Sequence, residues 1–137
     1  MPALQAITPY LTINGADKAL AFYQKAFGAT DIFRHPDEDG KRVFHARMTI
    51  AGGTVMMSDD YSKDHGGPPA PSPEKPAPVA VAVALESAGE VDAMFNQAVA
   101  AGANGAVPPA DMFWGDRFAI VVDPFGHRWM ISAPAKT

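Results

Sequence analysis

Asn14-Gly15-Ala16-Asp17-Lys18-Ala19-Leu20-Ala21-Phe22-Tyr23 decides the fold, because Ser87-Ala88-Gly89-Glu90-Val91-Asp92-Ala93-Met94-Phe95 echoes it 73 residues later. Each stretch opens with a residue type that caps helices, followed three positions on by an acid. In the first, Ala16, Leu20, Tyr23 and Phe27 recur at helical spacing and Gly28 stops the helix. In the second, Val91, Met94, Phe95 and Ala98 form the apolar stripe and Gly102 stops it. Asn14 and Ser87, Asp17 and Glu90, Phe22 and Phe95, and Gly53 and Gly126 all share the offset of 73. A shared offset along most of a chain is the signature of an internal repeat.

Strand signals flank both helices. In the first half, Ile7–Ile13, Ala29–His35, Val43–Ile50 and Thr54–Asp59 are rich in β-branched and aromatic residues, with turns at Asp37–Gly40 and Ala51–Gly53. The second half offers Val79–Leu85, Ala106–Pro108, Arg117–Val122 and His127–Ser132. The pattern predicts an α+β fold of two βαβββ modules, about 5–60 and 77–134, in a single domain spanning 1–137. Between them, residues 61–78 carry Pro68, Pro69, Pro71, Pro73, Pro76 and Pro78 and few large apolar side chains. Such a stretch cannot donate a regular ladder of hydrogen bonds and reads as a linker, about 61–76.

Composition narrows the function. With 137 residues, 47% of them hydrophobic and 19% charged, the chain can bury a core without staples. A net charge of -4, with 11 scattered Lys and Arg, weighs against nucleic-acid binding. The absence of cysteine removes disulfides, thiol catalysis and Cys-ligated metals. No apolar run is long enough to span a membrane, and no targeting segment is visible, so a cytoplasmic location is expected.

The sequence resembles the vicinal oxygen chelate superfamily, the glyoxalase/bleomycin resistance/dioxygenase group. The resemblance rests on Ala19–Tyr23 through Phe27-Gly28, on Ala100-Ala101-Gly102-Ala103, and on Asp123-Pro124-Phe125-Gly126-His127. Asp111-Met112-Phe113-Trp114-Gly115-Asp116-Arg117 is similar to the branch whose members are labelled demethylubiquinone-methyltransferase-like. No Gly-rich strand-to-helix loop for a nucleoside cofactor accompanies it. The resemblance implies curved mixed sheets that enclose a cavity, with the helices outside.

The resemblance also implies where metal-using members would place their ligands: on the first and last strand of each module. Here those positions fall at Thr8, at Met57, at Ala80 or Val81, and at Met130. Thioethers suit hard divalent ions poorly, and Ala and Val offer no donor. Neither a metal nor any other cofactor is therefore expected.

Other candidates come from residue type and strand alternation. If Val122 pairs with His127, Arg117 shares a face with Ala119 and Met130, where its guanidinium could hold an anion; the alternative is a surface pairing with Asp116 or Asp111. Phe113 and Trp114 precede that strand and either gate a pocket or plug a contact. His45 lies mid-strand, and Asp59 ends the last strand of its module. Met57 and Met130 would line an adaptable apolar wall. The reading is a metal-free protein that binds a small apolar or amphipathic molecule between its modules, with Arg117, Trp114, Phe113, Met57, Met130, His45 and Asp59 as ligand-binding candidates. The alternative is a small-molecule enzyme of lyase or dioxygenase type with a non-standard or displaced site. A homodimer is expected, since half-barrels leave sheet edges that invite pairing.

Overall fold

The computed structural model describes residues 5–135. The first module runs β1 (Tyr10–Ile13), α1 (Ala16–Phe27), β2 (Thr30–Pro36), β3 (Val43–Ile50) and β4 (Gly53–Asp59). After the short α2 (Ser62–His65), the second module runs β5 (Ala80–Ala84), α3 (Ala88–Ala101), β6 (Asn104–Asp111), β7 (Asp116–Val122) and β8 (Arg128–Pro134). Each module is a βαβββ unit with one four-stranded mixed sheet. The strand orders, β1-β4-β3-β2 and β5-β8-β7-β6, match. In both, the first strand runs parallel to the last, and the remaining ladders are antiparallel.

Each sheet has one face under its helix and one face left open. In the first sheet the covered row reads Arg34, Ala46, Met57, Leu11, and the open row beside it reads Phe33, Arg47, Met56, Tyr10. In the second, Ala119, Ile131 and Val83 are covered, and Ile120, Met130 and Ala82 form the parallel row. Among the described residues, the helices make most of the junction between the two sheets. Helix α1 is therefore buried on most sides, through Ala16, Ala19, Leu20, Phe22, Tyr23, Ala26 and Phe27. The Phe27 ring lies 4.7 Å from that of Trp129 in the second sheet, tilted by 45°.

The repeat is real, but its offset drifts. Ala16 to Ala88, at the helix starts, is 72 residues, and Gly28 to Gly102, at the helix ends, is 74. Helix α3 has 14 residues against 12 in α1. An addition of two preserves the alternation of strands downstream, whereas an offset of 73 reverses it.

The first helix starts without the expected box. Asn14 stays exposed and Gly15 takes the cap at φ 96°, in the left-handed region that suits glycine. The orphan N–H groups of Gly15 and Ala16 donate instead to Asp59, each at 2.9 Å. Asp17 turns away to pair with Arg34. In the second module the Ser87 hydroxyl donates to Glu90 at 2.9 Å.

Candidate functional site: an apolar groove at the module junction

The strand orders leave one edge of β1 and one edge of β5 without a partner strand. Both edges border a groove of about 710 Å³, lined by Ile7–Thr12, by Val79–Val81 and by the proline-rich segment. Proline has no N–H, so this segment cannot add itself to either edge as another strand. It lies across the gap as a strap and leaves the space beneath it open.

The strap is fixed at both ends. Asp60 accepts from the backbone N–H of Ser62 and of Ala70, each at 2.8 Å. The Ser62 hydroxyl first, then the backbone bonds from Ala70 and Ser62, hold the Asp60 carboxyl below its usual range. At the far end the Ala77 N–H donates to the Gly126 carbonyl at 2.8 Å. Gly126, at φ 89°, also meets the strap directly: a Cβ there would sit 2.5 Å from the Ser72 nitrogen. His127 is buried and donates from Nε2 to the Thr12 carbonyl at 2.9 Å, satisfying a backbone group of β1. The Asp123–His127 turn thus supports the strap and ties the second module to the edge of the first.

Several candidates read from sequence stand elsewhere. Arg117 does not share a face with Met130. The turn spans five residues, with Asp123 N–H donating to His127 O at 2.9 Å, so Val122 pairs with Arg128 and Ala119 with Ile131. That one-residue difference turns Arg117 to the helix side. There Asp92 of α3 takes it at 2.6 and 3.2 Å, and Asp111 at 3.0 Å. Asp92 first, then Asp111, raises its pKa further.

Met57 is likewise under the helix, fully buried, and Met56 occupies the open-face position equivalent to Met130, 74 residues on. Asp59 is no rim group: it is buried and accepts from Gly15, Ala16 and Val43 N–H. Phe113 is 97% exposed and Trp114 half exposed at the β6–β7 turn, edge to face at 5.1 Å. His45 lies on the open face, where the Tyr10 hydroxyl meets its Nδ1 at 2.9 Å. The rings of Tyr10 and His45 stack at 5.6 Å. Tyr10 also lines the groove, so it joins the groove to the open face of the first sheet.

The strap went unrecognised as a wall because its composition marks a connection and carries no trace of where it lies. Tyr10 went unrecognised because an aromatic on a strand is ordinary core material. A second hollow of about 420 Å³ lies between the β2–β3 turn and α2. Its charges satisfy one another: Arg42 pairs with Asp64 and sits over the Tyr61 ring at 4.1 Å, while the Tyr61 hydroxyl donates to Asp37.

A metal does not fit the strand positions that the fold offers. Thr8, Met56, Met130 and the alanines of β5 supply one hydroxyl and two thioethers to an ion that prefers imidazole or carboxylate. Among the described residues, no three His, Asp or Glu side chains stand close enough to hold a metal ion.

Comparison with known proteins agrees with the architecture. Residues 4–131 match the family model described as Glyoxalase/Bleomycin resistance protein/Dioxygenase superfamily. An uncharacterised protein of Mycobacterium bovis is 39% identical over 131 residues, covering 96% of this chain and 84% of the relative. A glyoxalase-related enzyme from Fulvimarina pelagi superposes with a TM-score of 0.74 at 24% identity, covering 95% of this chain and 88% of that one. A PhnB protein from Bacillus cereus, described as a putative 3-demethylubiquinone-9 3-methyltransferase, gives a TM-score of 0.65 at 26% identity, covering 94% and 99%. Two βαβββ modules of one topology and a family model spanning nearly the whole sequence lead to one conclusion: the chain belongs to the glyoxalase/bleomycin resistance protein/dioxygenase superfamily.

Proposed function

We propose that this protein binds a small apolar or amphipathic molecule in the groove between β1, β5 and the proline strap, without a resident metal. The observation that carries this reading is the groove itself. Its volume of about 710 Å³ lies within the usual range for small-molecule sites, and its walls are mostly Pro, Ala, Val, Leu and Ile. Polar side chains are few: Thr8, Tyr10 and Thr12 on one side, Lys75 on the strap, and His127, already bonded to Thr12. Such a surface holds a ligand by burial and orients it at a few points.

The neutral probe 1-naphthol tests this. Titration should show saturable binding and a rise in melting temperature, because a ligand of the native state stabilises by mass action. Replacing Val79, exposed at the groove, with Asp should weaken binding at least about fivefold, since a charge must then be desolvated against the probe. No saturation at millimolar probe, or an unchanged affinity in Val79→Asp, contradicts the reading.

The same proposal includes a homodimer. Tyr10, Phe33, Phe44 and Trp114 are all more than 40% exposed, and aromatic side chains are enriched where protein surfaces meet. Light scattering should give twice 14.5 kDa at micromolar concentration. A mass of one chain contradicts it.

A second reading, an enzyme with a non-standard site, is favoured by the Tyr10–His45 contact alone. A hydrogen-bonded phenol and imidazole on an open sheet face could move a proton to or from a bound molecule. Turnover of a bound compound that disappears in His45→Gln while binding persists would promote it.

A further inference from the structure

The chain carries 15 Asp and Glu against 11 Lys and Arg, yet among the described residues no acid lines the groove. Among the described lining residues the one lysine is Lys75, and the one histidine, His127, is already bonded to Thr12. An apolar channel with a single cationic group in an otherwise acidic protein selects by charge. We propose that the groove's ligand is an apolar molecule carrying one anionic end, a carboxylate or its phosphate or sulfonate counterpart, that pairs with Lys75. The proposal rests on the groove being the binding site.

The geometry places Lys75 for this. The strap forms a tight turn there, with the Ser72 N–H donating to Lys75 O at 3.2 Å and the Lys75 N–H to Ser72 O at 3.0 Å. Ser72 is in turn held against Gly126. The backbone under Lys75 is thus anchored to the second module, while the side chain keeps its ammonium in no ion pair among the described residues. Arg117, the cation that sequence reading favours for this role, is engaged with Asp92 and Asp111, and Arg42 and Arg34 pair with Asp64 and Asp17. An anionic end at the strap leaves the apolar body free to lie along Ile7, Val79 and the prolines of the strap.

Three probes of one shape separate this inference from the groove reading. They are 1-naphthoate, 1-naphthol and 1-naphthylmethylamine, titrated calorimetrically into the full chain at neutral pH. The anion should bind roughly fivefold tighter than the neutral probe, the scale of a partly exposed ion pair, and the amine should bind weakest. Lys75→Gln should remove the anion's advantage and leave 1-naphthol unchanged. Lys75 is exposed, so the variant should melt with the native protein. Equal binding of anion and neutral probe overturns the charge selection and leaves the groove reading standing. An anion preference that survives in Lys75→Gln overturns the role of Lys75. No binding by any probe overturns both. Added 0.5 M salt should shrink the anion's advantage and spare 1-naphthol.

Discussion

The hydroxyl of Tyr23, on the first helix, donates to the carboxylate of Asp123 at 2.5 Å, across 100 residues of sequence. The same carboxylate oxygen accepts from Trp129 Nε1 at 2.9 Å, and the other accepts from Phe125 and His127 N–H at 2.9 and 3.0 Å. Asp123 is 1% exposed and, among the described residues, forms no ion pair. Four donors hold it, and they come from both modules. The turn that positions the strap and His127 is therefore locked to the helix of the other module.

Tyr23→Phe should cost about 1.5–3 kcal/mol of stability, the range for a hydrogen bond to a charged group. The sign at high pH follows from burial first and the Asp123 charge second, which together push the Tyr23 hydroxyl well above its ordinary pKa. The unfolded chain loses this proton near pH 10 while the folded chain keeps it, so stability falls as pH rises past that value. Chemical denaturation between pH 8 and 11 should show a shallower decline in Tyr23→Phe than in the native protein. A residual slope from Tyr61, also raised by burial and by Asp37, should remain. Parallel declines in the two proteins would contradict this.

Asp59→Ala should destabilise by about 2 kcal/mol or more, since it strips the cap from α1 and leaves the N–H groups of Ala16 and Val43 without their acceptor. Affinity for 1-naphthol should stay within about twofold, because Asp59 does not line the groove. Denaturation and titration on one variant check both halves.

Gly126→Ala should disturb the strap. The φ of 89° penalises any side chain, and the added Cβ would overlap the Ser72 backbone. The expected outcome is a stability loss of about 1–3 kcal/mol with weakened naphthol binding. Gly52→Ala, with a positive φ but nothing near its Cβ, should lose stability and keep affinity.

The modules could be read from sequence because paired helix starts and glycine stops carry the signal, and these are local. The faces could not. A turn of five residues before β8 and a two-residue loop, Ala51 and Gly52, before β4 look alike as Gly-containing turns, yet they set opposite alternation at equal sequence offset. Hence Met57 and Arg117 fall under the helices, and Met56 takes the open position. Asp59 was legible as a strand end and not as a cap, because the N–H groups it serves lie more than 40 residues earlier. The groove wall depends on where a proline-rich connection lies, and only tertiary contacts such as Gly126 against Ser72 decide that.

Protein purified without chelator should carry well under one Zn, Ni, Mn or Fe per chain, and EDTA should leave naphthol affinity unchanged. Elemental analysis near one metal per chain that survives dialysis would contradict the donor-set argument.

The most direct measurement of the central claim is the map of backbone amide shifts on adding 1-naphthol to labelled protein. The largest changes are expected along Ile7–Thr12, along Ala77–Val81, at Lys75 and at His127, the walls of the groove. Shifts confined to His35, Asp37, Phe44 and His65 would place the ligand in the other hollow and contradict the account.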